Sequence, residues 1–294
     1  MGTLMTLFEA PGPVAARIDI GARGDIWVGA TDRAEVTVDV RPRNPSRSLD
    51  LEATEQTTVE FVDGRLSVKL KQWRRHSWFS DGGAVVVAVE VPIGSSLEVS
   101  SGMGSLRMDG EFGDVSLSTG VGEIRVGTSA TLRTKTGMGD ITVLRATGPA
   151  ELASGTGRIH VESLSGAGSI RNSNGETFLG EVTGDLQVKA ANGDILIHRA
   201  GGNVNARASN GAVRIQEVHR GVITAHTSAG SIDIGVRPGT AVWLGLTTKF
   251  GQVRSGLAPA DAPDDGGATV QVRADSSYGD VTVHSSFNVG SGMP

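Results

Sequence analysis

The sequence predicts an all-β protein: a parallel β-solenoid of about 18 residues per turn and two strands per turn, preceded by an N-terminal, mainly antiparallel β cap. Three observations carry this. One glycine recurs at near-constant spacing, at positions 104, 122, 139, 157, 175, 193, 211 and 230. Aliphatic side chains stand two and four places after nearly every one of them, the beat of a strand with one buried face. Finally, an 18-residue unit has no room for a crossover helix, so its short strands bury an apolar face only by stacking on the next unit.

Within each unit, Leu106, Ile124, Ile141, Ile159, Thr177, Ile195, Val213 and Ile232 occupy the first inward place. Met108, Val126, Val143, Val161, Leu179, Ile197, Ile215 and Ile234 occupy the second. The residue between them must face outward, which puts His160, Phe178, Leu196 and Arg214 on one outer column. A weaker glycine about nine residues on, as at Gly166, Gly184 and Gly202, splits each unit into two half-turns. Asn174-Gly175, Asn192-Gly193 and Asn210-Gly211 supply turn residues, with the asparagines stacked to exchange side-chain hydrogen bonds.

Before the repeats, residues 1–13 contain Pro11 and Pro13 and are expected as a flexible tail. Residues 14–99 are expected as the capping layer. GDIWV (24–28) has the form of the repeat and is either a displaced copy or a cap strand. The segment 41–48, with two prolines and three arginines, reads as a loop. TVEFV and RLSVKL flank Asp63-Gly64, which predicts a hairpin with a type I′ turn. The apolar run 84–91 predicts a strand buried on both faces. Residues 100–285 form the solenoid, its spacing loosening after Gly230, and 286–294 are expected as a disordered tail.

Composition narrows the function. Among 294 residues there are 42 glycines, 4% aromatic residues and no cysteine, so disulfides, thiolate catalysis and cysteine-ligated zinc are excluded. A net charge of −5 gives no reason to expect nucleic acid. No run approaches a membrane span, and no basic segment followed by an apolar one opens the sequence; the expected location is cytoplasmic, unless a native leader precedes these residues.

Three surfaces are candidates for holding a protein partner. The loop 71–83 sets Trp73, Trp78 and Phe79 beside Arg74 and Arg75, a hot-spot composition, although the rings would equally complete the core of the cap. Lys135, Arg171, Lys189 and Arg207, continued by His226, form a basic column able to meet an acidic face or anionic polymer, or else a solvated surface. Phe178 and Leu196 make a small outward apolar spot.

Catalytic motifs are missing, and the six histidines fall at unrelated register positions. Glu176, Asp185 and Asp194 follow glycines nine residues apart, but the acid is displaced from its place in calcium-binding nonapeptides. No metal or cofactor is expected.

The N-terminal β layer, the strand VEVPIGSSLEV (89–99) and the repeated GxGDIxV units together resemble the bacterial "putative adhesin" family of unknown function, the toastrack proteins. The resemblance implies a right-handed β-solenoid without known enzymatic activity and, in some relatives, a link to envelope stress. The expectation is therefore a non-enzymatic scaffold or interaction module. A surface adhesin, a carbohydrate-active β-helix enzyme and a self-associating filament are the alternatives.

Overall fold

A computed structural model describes residues 4–70, 82–257 and 268–286. Contacts divide the chain into two compact units, residues 1–148 with 152–155, and residues 149–151 with 156–294.

The first unit contains β1 (Leu4–Glu9), β2 (Ala15–Thr31), β3 (Glu35–Pro42), α1 (Ser48–Glu55), β4 (Thr58–Val62), β5 (Arg65–Leu70), β6 (Ala84–Pro92), β7 (Ser96–Met103), β8 (Leu106–Val121), β9 (Ile124–Met138) and β10 (Ile141–Ala146). The long β2 is a full coil. Its first half pairs in parallel with β5 and β7, and its second half in parallel with β6 and β8. Ile18 stands between Val68 and Val99, and Val28 between Val89 and Met108, all of them buried. GDIWV is thus the displaced copy, inserted out of chain order between residues 65–92 and 96–108.

Among the described residues of 14–99, antiparallel pairing is confined to the outermost strands: β3 on β6 and β4 on β5, with β1 added on β3. Phe8 of β1 stacks on Phe61 of β4, ring centres 5.0 Å apart. The hairpin turn carries φ of 49° at Asp63 and 71° at Gly64, both positive as type I′ requires.

Three expectations are corrected here. Residues 4–9 are not a tail but β1, because both prolines lie beyond the strand and the edge of β3 needs a partner. The stretch 48–55 is helical, which apolar periodicity did not signal. Its Asp50 is buried and accepts the Ala84 N–H at 2.9 Å and the Asn44 N–H at 3.0 Å, tying α1 to the start of β6. The run 84–91 is buried at alternate residues, with Val86, Ala88 and Glu90 only half-buried.

After β11 (Ala150–Thr156), whose residues are shared between the units, come β12 (Ile159–Leu164), β13 (Gly168–Asn174), β14 (Thr177–Val182), β15 (Leu186–Asn192), β16 (Ile195–Ala200), β17 (Val204–Asn210), β18 (Val213–Val218), β19 (Gly221–Ala229) and β20 (Ile232–Val236). The last coils are β21 (Ala241–Phe250) with β22 (Val253–Ser255), and β23 (Thr269–Tyr278) with β24 (Val281–Ser285). One parallel ladder runs through β13, β15, β17 and β19; the other runs through β12, β14, β16, β18 and β20. The inward columns are buried as the alternation requires, with Ile159, Ile195, Val213 and Ile232 at 0% exposure. Thr177, the polar member of that column, is equally buried and lies 3.4 Å from the Asn172 amide nitrogen, which also donates to the Gly157 and Gly175 carbonyls.

The coils close tightly at the glycines. Gly193 has φ of 137°, and a Cβ there would lie 2.1 Å from the Gly175 carbonyl oxygen. Positive φ falls on these glycines and not on the asparagines before them; Asp63 is the one non-glycine with positive φ among the described residues. The asparagines do stack, as described below.

Past Gly230 the chain order is broken once more. The final coil, β23 with β24, pairs with β19 and β20, and β21 with β22 add on its far side. The loosened spacing in sequence therefore conceals an inserted coil.

Candidate functional site

Outward positions on the β13–β15–β17–β19 ladder are set by the same alternation that buries Ile170, Val188, Ala206 and Ala225. In this register Arg171 lies beside Lys189, Lys189 beside Arg207, and Arg207 beside His226. Adjacent strands sit about 4.8 Å apart, so four basic or titratable groups cross the ladder in a line about 14 Å long. Glu151 is 3.4 Å from Arg171 at one end, and Asp275 is 3.0 Å from His226 at the other. Lys189 and Arg207, between them, have no ion pair among the described residues. Stacked cations raise the local potential, and it is not cancelled at the middle of the line.

The line runs into a cleft of about 400 Å³ lined by Arg207, Thr224, His226, Gly245, Arg273 and Asp275. The cleft exists because Gly245 takes an outward place on β21 beside Arg273 and has no side chain to fill it. Arg273, unpaired among the described residues, adds a third free cation. It escapes a reading along the chain because β23 follows β21 and β22 in sequence yet pairs directly with β19. Counting back from the glycines finds it: Arg273 is six before Gly279, as Thr224 is six before Gly230.

Phe178 and Leu196 are neighbours in register on β14 and β16, on the second ladder. His160 stacks on Phe178 with ring centres 4.6 Å apart, so the apolar spot is half-buried by its own column. Lys135 is in the first unit, on β9 beside Ser118. Trp73, Arg74, Arg75, Trp78 and Phe79 lie outside the described residues.

A second cleft, of about 530 Å³, opens on the other ladder near His198, Arg214, Glu217, Asp233, Arg237 and His284. Its charges are largely matched: Arg237 is 3.0 Å from Glu217, Arg214 is 3.7 Å from Asp194, and His284 is 3.2 Å from Asp233. Nearby, burial and then the charges of Arg237 and Arg220 hold the His219 imidazole below its ordinary range, with Glu217 acting in the opposite sense. Among the described residues no three His, Asp or Glu side chains gather as metal ligands. Among the described residues no helix is long and apolar enough to cross a membrane.

A family model, Toastrack DUF4097, matches residues 16–242, a span that begins at the inserted coil β2 and ends within β21. The chain belongs to the Toastrack DUF4097 family. No curated protein matches it. Among solved structures, this Toastrack chain is similar to a "putative adhesin" from Bacteroides fragilis, at 11% identity over 96% of each chain and a TM-score of 0.40. It is similar also to a "putative adhesin" from Parabacteroides merdae, at 10% identity over 96% of this chain and 95% of that one, TM-score 0.41. A third, a "putative lipid binding protein" from Parabacteroides distasonis, shares 13% identity over 95% and 96% of the two chains, with a TM-score of 0.29.

Proposed function

We propose that this Toastrack protein is a non-enzymatic scaffold that docks the acidic face of a partner protein on the β13–β15–β17–β19–β23 ladder. The observation that carries the reading is the in-register run Arg171–Lys189–Arg207, whose last two cations are unpaired among the described residues and lead into the Arg273 cleft. Strands locked at about 4.8 Å present these charges with little ordering cost on binding. On a chain of net charge −5, such a line is a local field and not a general one. Lys135 and the Phe178–Leu196 spot are not needed for it. A cytoplasmic location belongs to the same proposal, and cell fractionation of the natural gene product checks it.

The test uses poly-L-glutamate as an acidic polypeptide probe, with binding read by fluorescence anisotropy at low and high salt. Expected is binding that weakens with added salt and falls by roughly tenfold, about 1.4 kcal/mol, in Lys189→Glu/Arg207→Glu. Lys135→Glu should leave it unchanged. Equal binding by wild type and the double variant would remove the ladder from the proposal.

A further inference from the structure

The outermost coil of the second unit, β21 with β22, is left open among the described residues. Val242, Leu244, Leu246 and Thr248 stand in register with the buried Val270, Val272, Ala274 and Ser276, so they occupy core positions. Yet Leu244 is 40% exposed and Val253, in the buried Val281 column, is 46% exposed. Trp243 and Phe250 on the same strand are 75% and 63% exposed. The backbone is open as well. Ala241 donates its N–H to Ala268, and by the two-residue beat of a parallel ladder the odd residues of β21 bond to β23. The N–H groups of Val242, Leu244, Leu246 and Thr248 therefore point away, along an edge with no ladder partner among the described residues.

The first unit treats its outermost coil differently. There β4 and the β3–β1 pair cover the edges of β5 and β6, and the Phe8–Phe61 stack joins them. An exposed strand ten residues long, without proline or acid, is a template for pairing, and among the described residues it has none of these covers.

From this we infer that the β21–β22 coil is the interface for a second copy of this chain, pairing antiparallel across a two-fold axis to give a closed dimer. The strand is complementary to itself. Opposed residues of an antiparallel pair share a face, so core residues stay inside only when even positions meet even ones. With Gly245 on the axis, Leu244 meets the partner's Leu246, Val242 meets the partner's Thr248, and Trp243 meets the partner's Thr247. Charges do not oppose the pairing: Lys249 falls beside the partner's Ala241, about 27 Å from the partner's Lys249. A two-fold axis normal to both ladders pairs β22 with its counterpart as well and joins the two aliphatic interiors. Ten residues of β21 extend about 33 Å and stacked sheets lie about 10 Å apart, so the face covered is on the order of several hundred Å² per copy, at the small end of specific interfaces. This inference does not depend on the basic ladder.

The experiment measures the mass of the full chain by light scattering coupled to size exclusion, over a wide concentration range. Expected is a species of twice 30.3 kDa. Leu244→Glu/Leu246→Glu and Leu244→Lys/Leu246→Lys should each be monomeric with the circular dichroism of wild type, and an equimolar mixture should regain the dimer. If both fold poorly, Val242→Pro removes one edge-facing N–H without touching the β23 ladder and should also be monomeric. A wild-type monomer at every concentration would overturn the inference, as would mass growing past the dimer or a dimer that survives the charged variants. A chain monomeric at full length that dimerises after removal of residues 287–294 would assign the coil to its own C-terminal segment instead.

Discussion

The Asn192 side-chain nitrogen lies 2.9 Å from the Asn174 side-chain oxygen, and 18 residues later Asn210 repeats the bond to Asn192 at 3.0 Å. The coils are thus stitched along their turns by one residue type in one register. The column continues through Ala229 to Tyr278 and Phe250, whose rings stack 4.9 Å apart. Asn192→Ala removes both bonds of the middle rung. Because the side chains are exposed, the expected loss is about 1 kcal/mol, read from urea unfolding followed by circular dichroism.

Beside that rung, Gly193→Ala should cost considerably more. Its φ of 137° is disfavoured for any residue with a Cβ, and the new methyl would meet the Gly175 carbonyl at 2.1 Å. Strain and separation of the coils together predict about 3 kcal/mol, seen as a lowered unfolding midpoint. An unchanged midpoint would mean that the turn relaxes without disturbing the stack.

In the first unit, Asp50→Ala strands the N–H groups of Ala84 and Asn44 that its buried carboxylate accepts. Charged acceptors in such positions are worth about 3 kcal/mol together. Hydrogen exchange of the Ala84 amide gives a local readout, and its protection should fall.

The His219 imidazole is held below its ordinary value of 6.5, first by burial and then by Arg237 and Arg220. As pH falls the unfolded chain takes up that proton before the folded one. Stability is therefore fully present above about 6.5 and is lost as pH drops from there through the folded value. His219→Gln should reduce the fall in melting temperature between neutral and mildly acidic buffer, measured against wild type. An identical fall in both proteins would contradict the assignment.

How much of this is legible along the chain depends on the range of the interaction involved. The inward columns and the Arg171–Lys189–Arg207 line follow from counting within a repeat, because strand alternation is a local backbone property, and the Asp63-Gly64 hairpin follows from the local turn preference of that pair. Strand β1 and helix α1 were not legible. Neither carries strong periodicity; each is held by tertiary partners, the edge of β3 and the amides of Ala84 and Asn44. Arg273 was assigned to no surface because its place depends on which coil lies next to β19.

By itself the sequence determined the coil: its length, its two strands, its glycine corners and which side chains face the interior. Only the tertiary structure decided the order in which coils stack, with β2 inserted before β7 and β8 at one point and β23–β24 inserted before β21–β22 at another. The physical reason is that every coil offers the same parallel edge and the same aliphatic columns. Local pattern makes each coil fit any neighbour, and only the packing of the whole selects one.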